Sequence, residues 1–523
     1  MAQNSQIGAA DHDVLTLRGN KNGVNQINKL CQLRFPLPCA AAALTGILLA
    51  LGGGGCKPPS EDVPDLIVLQ TGRIRGNVYP TSMQAIAPLQ PYPYVAGYVK
   101  QVREEAARVG AQVLLVDLGD SLSGSFASYA TDYGNMVAFF NALKYDAIIL
   151  GNLDNNVLPG ILASVEAEVL NPFSNTAGEP ATEGTQFGVR LDLNGQPAEI
   201  LANFYGDTSR SQYPDRFPTW FGNTGTGVVP LRDYSKVVES LGPRPAGTFT
   251  ALTWMKFESP KKLPAEFLKM LTDLGVDFIL AHRIYSGRKR DIWAEKTFYD
   301  WTPPVSENIL RNNGGFTIAR TDLKRDGDSW SVMRQELVPM TANTATRDDQ
   351  VIEEIAQYTE EIEAADIFIA NLPDNVSEED ILISYLTALS QLPDTEVAVY
   401  SRNSVRTSWP AGRLTASRVF NSLPWTTALV QMTLTPDQLR QLGEIGGVVF
   451  LRKDGITADA SVTITTSRFF ASVLSERLGL PAEVMRDTAK PSEFDYFVQY
   501  LTASPKPLTF AVPAGWGFVT PGS

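Results

Sequence analysis

Apolar and polar residues repeat with two different periods along most of this chain, which predicts a layered α/β protein. Continuous apolar runs at 65–71, 112–118 and 147–151 predict buried strands. Apolar residues at helical spacing over 94–108 and 135–143 predict amphipathic helices that precede the second and third strands. Buried strands that alternate with helices and end in glycine-containing loops are typical of an α/β domain.

The same pattern divides the chain into two domains. Residues 316–323 and 329–337 alternate around the turn sequence Lys-Arg-Asp-Gly-Asp, which predicts a hairpin at the end of a first domain over 65–340. Residues 347–365 are strongly acidic, with apolar residues at helical spacing, and predict a linker helix. Further strand and helix patterns predict a second α/β domain over 377–523.

Composition narrows the class of protein. The chain has 523 residues, of which 44% are hydrophobic and 19% charged, so it can bury a large core. Its formal net charge is −13. A field of that sign repels phosphate backbones, so nucleic acid is excluded as the expected partner.

An apolar segment near the start predicts export. Residues 35–55 follow Lys29 and Arg34, contain Pro and Gly, and end in four glycines before Cys56. The segment is short for a membrane-spanning helix, and small residues before a cysteine suit a signal peptidase. Residues 1–56 resemble a bacterial lipoprotein signal peptide with Cys56 as the lipidated residue, and 57–64 read as a Pro-rich tether. We expect an exported lipoprotein anchored in a membrane, in the periplasm or at the cell surface. A retained anchor and a wrong start remain alternatives.

Polar residues directly after the predicted strands are the candidates for chemistry, because ligand sites form at the carboxyl ends of strands in open α/β sheets. These loops are 72–76, 119–125 and 151–154, with His282 after a later strand. Cleavage before Cys56 leaves His282 as the only histidine. Two-cation hydrolases draw several ligands from His, Asp and Asn, so the usual centre cannot be assembled from this chain.

Three of these loops resemble the bacterial and animal 5′-nucleotidases, which pair a calcineurin-like metallophosphoesterase domain with a nucleotide-specific C-terminal domain. The family's Leu-His-Thr-Asn-Asp-x-His-Gly motif aligns with residues 69–76, Leu-Gln-Thr-Gly-Arg-Ile-Arg-Gly. Its Gly-Asp-x-x-x-Gly-Ser loop is intact at 119–125, and its Gly-Asn-His-Glu segment becomes Gly-Asn-Leu-Asp at 151–154. The resemblance implies a four-layer metallophosphoesterase-like α/β sandwich followed by a second α/β domain.

The resemblance also implies a degenerate metal site. Arg73 and Arg75 stand where the family has metal ligands, and Leu153 stands where it has the catalytic histidine. The remaining ligand positions are Asp120, Asn152 and His282. Two interpretations stay open. Either Arg73 pairs with Asp120 and replaces the charge of the lost metal, or Asp120, Asn152, His282 and Asp154 hold one hard cation such as Mg²⁺, Mn²⁺ or Ca²⁺.

The second domain keeps the family's scaffold better than its site. Residues 411–425 follow the family pattern Gly-x-Ile-Thr, Val, Leu-Pro-Phe closely. The resemblance implies that Arg406 contacts the substrate and that Trp425 and Phe469 enclose the base. The alternative for the two aromatic residues is core packing.

Three functions are therefore open. The first is an impaired, lipid-anchored pseudoenzyme that binds a nucleotide, another phosphate ester or a protein partner. The second is a divergent metal-dependent hydrolase of nucleotides or other phosphate esters, active in nucleotide catabolism. The third is a structural surface protein, in which Arg73 and Arg406 affect stability alone.

Overall fold

The computed structural model describes residues 63–83, 90–151, 154, 159–175, 177–203, 229–230, 234–257, 265–283, 309–312, 315–457, 459–480, 485–488 and 491–519. Contacts divide the chain after Ser60, and all described residues lie in the unit that begins at Glu61. The predicted signal peptide, including Cys56, lies outside them. Among the described helices, none combines the length and the apolar character needed to cross a membrane.

Two large sheets organise residues 63–340, here called the first lobe. Its described strands are β1 (Leu66–Gly72), β2 (Gln112–Asp117), β3 (Ala147–Ile149), β4 (Glu168–Leu170), β5 (Phe173–Ser174), β6 (Gly188–Leu193), β7 (Gln196–Leu201), β8 (Val229–Pro230), β9 (Phe249–Phe257), β10 (Phe278–Arg283), β11 (Ile309–Asn312), β12 (Gly315–Asp326) and β13 (Ser329–Pro339). One sheet has the order β13-β12-β1-β2-β3-β4 and the other β11-β10-β9-β7-β6, while β5 pairs with β8. The antiparallel β12–β13 pair confirms the predicted hairpin.

Helices cover both outer faces of these sheets. The described helices of the first lobe are α1 (Tyr92–Val109), α2 (Phe126–Ala130), α3 (Gly134–Leu143), α4 (Pro159–Leu162), α5 (Ser235–Leu241) and α6 (Ala265–Asp273), with a 3₁₀ turn at Thr81–Met83. Because side chains alternate along a strand, Leu66 and Val68 pack between the sheets and Ile67 and Leu69 pack against α1 and α3. Val237 of α5 packs on the far face of the second sheet. The predicted four-layer sandwich is confirmed.

Parallel pairing aligns the strand ends that carry the candidate site. β1 pairs in parallel with β2, placing Thr71 opposite Asp117. β2 pairs in parallel with β3, placing Asp117 opposite Ile148. The loops that follow β1, β2 and β3 therefore leave the same edge of the sheet.

The predicted linker forms two helices in the structure. They are α7 (Asp349–Ala356) and α8 (Thr359–Ala365). The side chain of Asp348 accepts hydrogen bonds from the backbone N–H groups at the start of α7 and fixes where that helix begins. Val351 and Ile355 are buried against the first lobe, whereas Ile362 of α8 joins the core of the second.

A mixed six-stranded sheet forms the centre of residues 366–519, here called the second lobe. The described strands of the second lobe are β14 (Phe368–Leu372), β15 (Val397–Ser401), β16 (Gly412–Thr415), β17 (Leu429–Leu434), β18 (Val448–Lys453), β19 (Val462–Ser467), β20 (Arg486–Asp487) and β21 (Trp516–Val519). Its helices are α9 (Glu378–Ser390), α10 (Ala416–Ser422), α11 (Pro436–Glu444), α12 (Arg468–Leu478) and α13 (Glu493–Ala503). The sheet order is β20-β17-β19-β15-β18-β21, and β14 pairs with β16.

One aromatic cluster joins the two lobes. Phe126 and Tyr129 of α2 project from the first lobe and pack against Phe420 of α10 and Phe494 of α13, with ring centroids 5.0–6.4 Å apart. The Tyr129 hydroxyl donates a hydrogen bond of 2.5 Å to Asp495. Because α2 directly follows the loop after β2, this contact ties that loop to the second lobe.

Candidate functional site

Backbone hydrogen bonds join the loop after β1 to the loop after β2. The N–H groups of Arg73, Arg75 and Gly76 donate to the carbonyls of residues 119, 120 and 121, at 2.7–3.1 Å. The Ile74 N–H donates to the Ser121 hydroxyl at 3.1 Å. The predicted site residues on these two loops are thereby brought side by side.

Three residues of these loops adopt a backbone conformation that favours glycine. Arg73, Arg75 and Asp120 have φ of 56°, 55° and 54°. Residues other than glycine rarely have a positive φ, and such a conformation persists where the surrounding structure imposes it. The close pairing of the loops supplies that constraint, and it places all three charged side chains at the strand edge.

The loop after β3 approaches just as closely. A Cβ atom on Gly151 would lie 2.2 Å from both the backbone nitrogen and Oδ1 of Asp120. Only glycine fits there. The next residues, Asn152 and Leu153, lie outside the described residues.

Asp154 connects the two loops instead of presenting its oxygens to a ligand. Its carboxylate accepts hydrogen bonds from the backbone N–H groups of Gly151, Ser121, Leu122 and Ser123, at 2.9–3.3 Å. Burial and the charge of Asp120 raise the pKa of Asp154, while the N–H donors oppose that rise. A carboxylate with four such donors has little capacity left for a cation.

Asp117 is a buried carboxylate that the sequence reasoning missed. It accepts hydrogen bonds from the hydroxyls of Thr71 and Ser121, at 2.7 and 2.9 Å, and from the Gly119 N–H at 2.9 Å. Burial raises the pKa of Asp117 to about 6. The sequence signal was its position as the last residue of a buried strand, before Leu118 and the first loop glycine.

Charges act between the loop arginines and Asp120. Arg73 is half-buried, and burial together with the positive charge of Arg75 lowers its pKa to about 10. The negative charge of Asp120 works in the opposite direction. This arrangement is expected if the charge of Arg73 offsets the charge of Asp120. The replacement of a metal by Arg73 stays a prediction.

The described residues do not fit a two-cation centre. Among them, no group of three or more His, Cys, Asp or Glu is arranged to hold a metal ion. Arg73 and Arg75 occupy the first-loop positions, and the Asp154 oxygens accept N–H bonds. The backbone of His282 lies in β10 opposite Asn312, and its side chain is not among those that the structure describes. Asn152 is outside it as well, so the single-cation interpretation stays a prediction.

The second lobe brings its three predicted residues together. The Trp425 and Phe469 rings are parallel within 5°, with centroids 6.2 Å apart, and the Arg406 guanidinium carbon lies 4.8 Å from the centre of the Trp425 ring. All three side chains are half-buried. The Trp425 indole N–H donates to the Ser404 carbonyl at 3.3 Å, which fixes the ring beside the loop that carries Arg406.

A buried glutamate, Glu493, connects the strand before the Arg406 loop to neighbouring elements. No pattern in the sequence indicated this role. Glu493 accepts hydrogen bonds of 2.8 Å from the hydroxyls of Tyr385, Tyr400 and Thr427. Burial raises the pKa of Glu493 to about 7. Tyr400 lies in β15, directly before the loop that leads to Arg406, so the network links that loop to the start of α13.

The sheets and the strand-edge loops form a two-lobe α/β fold of the metallophosphoesterase type. Solved structures identify the fold more closely. A 5′-nucleotidase precursor from Thermus thermophilus matches 84% of this chain and 96% of its own, with a TM-score of 0.55 and 16% identity. The 5′-nucleotidase of Candida albicans matches 84% of this chain and 98% of its own, with a TM-score of 0.54 and 12% identity. The predicted resemblance is confirmed, and this chain has the fold of the 5′-nucleotidases.

Sequence comparison points the same way over a shorter segment. Human 5′-nucleotidase is 27% identical over 139 residues, which is 26% of this chain and 24% of the human protein. The matched segment thus spans about a quarter of that relative. No protein-family model matches the chain.

Proposed function

We propose that this protein is a catalytically impaired relative of the 5′-nucleotidases that binds a nucleotide or a similar phosphate ester between its two lobes. The observation that carries this proposal is the presence of Arg73 and Arg75 on the loop where the related enzymes are expected to hold metal. Two guanidinium groups repel a divalent cation and attract an anionic ligand.

The second lobe supplies the other half of the proposed binding site. Trp425 and Phe469 are parallel, half-buried and next to Arg406. A planar ring needs a gap of about 7 Å, since stacked atoms approach to about 3.5 Å on each face. The 6.2 Å separation of the centroids is below that value, so one ring must move outward before a base can enter. The half-burial of both rings beside Arg406 is what supports base stacking over core packing for the pair.

Phosphate release tests the catalytic part of the proposal. The full chain is incubated with nucleoside monophosphates and a generic phosphodiester, with Mn²⁺, Mg²⁺, Ca²⁺ or Zn²⁺ added, beside Asp120→Ala. We expect no metal-dependent turnover. Turnover that is lost in Asp120→Ala contradicts the proposal and establishes the alternative, a divergent phosphate-ester hydrolase. Binding of adenosine monophosphate by calorimetry tests the ligand-binding part.

We also propose that the protein is an exported lipoprotein, held on a membrane through Cys56. The support is the apolar segment over 35–55 and the glycines that precede Cys56. Labelled fatty acid should be incorporated into the protein in a bacterial host, and Cys56→Ala should abolish that labelling and release the protein from the membrane fraction. Labelling that persists in Cys56→Ala would contradict this localisation.

A further inference from the structure

Three arginines on the loops that follow β1 and β15, here called the arginine row, are coupled through their charges. Arg73 and Arg75 act on each other through their charges, and so do Arg75 and Arg406, although Arg406 belongs to the other lobe. Burial and the charge of Arg75 lower the pKa of Arg406 to about 10. Arg75 is therefore the central member of the row and lies where the lobes meet.

Arg75 and Arg406 form no ion pair with any carboxylate that the structure describes. Neither residue makes an ion pair or donates a side-chain hydrogen bond to any described residue. The Nε atom of Arg75 is buried without a hydrogen-bond partner. Guanidinium groups that are partly removed from water and left without partners are costly, and an anion that accepts their hydrogen bonds lowers that cost.

The neighbouring carboxylates are already engaged. Asp154 accepts four backbone N–H bonds, and Asp117 accepts three hydrogen bonds from its own loops. The charge of Asp120 acts on Arg73, and no carboxylate is among the charges that act on Arg406. The end of the row formed by Arg75 and Arg406 is thus left positive within a chain of net charge −13.

The position of Arg406 also indicates which kind of group the bound anion would carry. Its guanidinium lies over Trp425, which is parallel to Phe469, so an anion held by Arg406 lies next to two aromatic rings that can stack with a planar group. Guanidinium groups present planar pairs of N–H donors that match the oxygens of a phosphate group.

We propose that Arg75 and Arg406 together form a metal-independent binding site for the dianionic phosphate of a phosphate monoester, with one arginine from each lobe. This inference rests on the proposed function and deepens it, because it states how the phosphate is held without a divalent cation.

Calorimetry with inorganic phosphate as the probe tests the site. The full chain is titrated in EDTA at constant ionic strength, and then with added Mg²⁺ or Mn²⁺. We expect saturable binding in EDTA that weakens as sodium chloride is raised. Arg75→Gln and Arg406→Gln should each reduce the affinity at least about tenfold, since each removes charged hydrogen bonds. Arg413→Gln is the matched control, because Arg413 lies 5.0 Å over the Phe368 ring on another part of the surface. It should bind phosphate as the parent does.

Two further titrations separate this inference from the proposed function. Adenosine probes the aromatic pair alone, and adenosine monophosphate probes both parts. Adenosine monophosphate that binds equally well to the parent and to Arg75→Gln overturns the phosphate site while the proposed function survives. Phosphate that binds in EDTA and is lost in Arg75→Gln supports the site even where adenosine and its monophosphate show no stacking contribution. Phosphate binding that requires an added divalent cation overturns the inference.

Discussion

The two halves of the candidate site differ in how they are built. In the first lobe, backbone hydrogen bonds join the loops after β1 and β2, and the Asp154 carboxylate joins the loop after β3 to the loop after β2. The Asp117 carboxylate also accepts a hydrogen bond from the loop after β2. In the second lobe, Trp425 and Phe469 are half-buried and face each other beside Arg406. The comparison indicates that the carboxylates of the first lobe hold loops together, whereas the second lobe leaves Arg406 and its two aromatic neighbours accessible to the proposed ligand.

The largest expected effect comes from breaking the loop contact in the first lobe. Gly151→Ala would place a Cβ atom 2.2 Å from the Asp120 backbone, so the loops must separate. We expect the free energy of unfolding to fall by about 3 kcal/mol or more, measured by urea denaturation. Gly160→Ala is the control, because its Cβ would meet nothing within 4 Å. Equal stability of the two variants would mean that the loops are not held together as described.

The next largest effect tests whether Trp425 in the second lobe stacks with the base of a nucleotide. Trp425→Ala removes one stacking face and should weaken binding of adenosine monophosphate by about 1–3 kcal/mol, or about 5- to 150-fold in Kd. Binding of inorganic phosphate should change less, because Arg406 remains. Phe368→Ala is the control, since Phe368 also lies under an arginine but is 47% exposed and away from Trp425. A similar loss in both variants would count against the aromatic slot.

The buried carboxylates, unlike the accessible residues of the second lobe, should make the stability of the protein depend on pH. The pKa of Glu493 is raised to about 7 by burial, so the folded chain holds a proton that the unfolded chain releases near its ordinary pKa of 4.5. Between these values the unfolded state binds fewer protons, and stability falls as pH rises. Asp117, with a pKa of about 6, contributes in the same direction.

Glu493→Gln should therefore reduce the loss of thermal stability between pH 5 and pH 8. The remaining slope comes from the other carboxylates whose pKa is raised by burial, which include Asp117 and Asp154. A glutamine can keep its oxygen toward Tyr385 and Tyr400 and donate its N–H to Thr427. Glu444→Gln, at an exposed position of α11, should leave the slope unchanged. An unchanged slope in Glu493→Gln would show that Glu493 does not carry this proton.

The smallest expected effect concerns the junction between the halves. Tyr129→Phe deletes the hydrogen bond to Asp495 but keeps the aromatic cluster, so we expect a loss of about 1 kcal/mol and a small drop in the thermal midpoint. Tyr496→Phe deletes a hydroxyl–carbonyl bond inside the second lobe and serves for comparison. A midpoint as high as that of the parent would indicate that the rings alone join the lobes.

Much of the fold was predictable because it depends on local periodicity. Apolar runs and helical spacing placed β1, β2, α1 and α3 within a few residues of their observed bounds. The linker was less predictable. Its apolar spacing continues across 347–365, yet the helix is interrupted between Ala356 and Thr359, because α7 packs on the first lobe and α8 on the second.

The amino-acid sequence alone predicted the layered α/β class, the two arginines on the first-strand loop, and Arg406, Trp425 and Phe469 as candidate ligand contacts. These features are predictable because periodicity and motif identity are properties of short segments. Folding was needed to show that Asp154 joins two loops, that Glu493 is buried among hydroxyls, and that Arg75 and Arg406 act on each other through their charges. Charge interactions and burial depend on distances between segments far apart in the chain, and those distances exist only after folding.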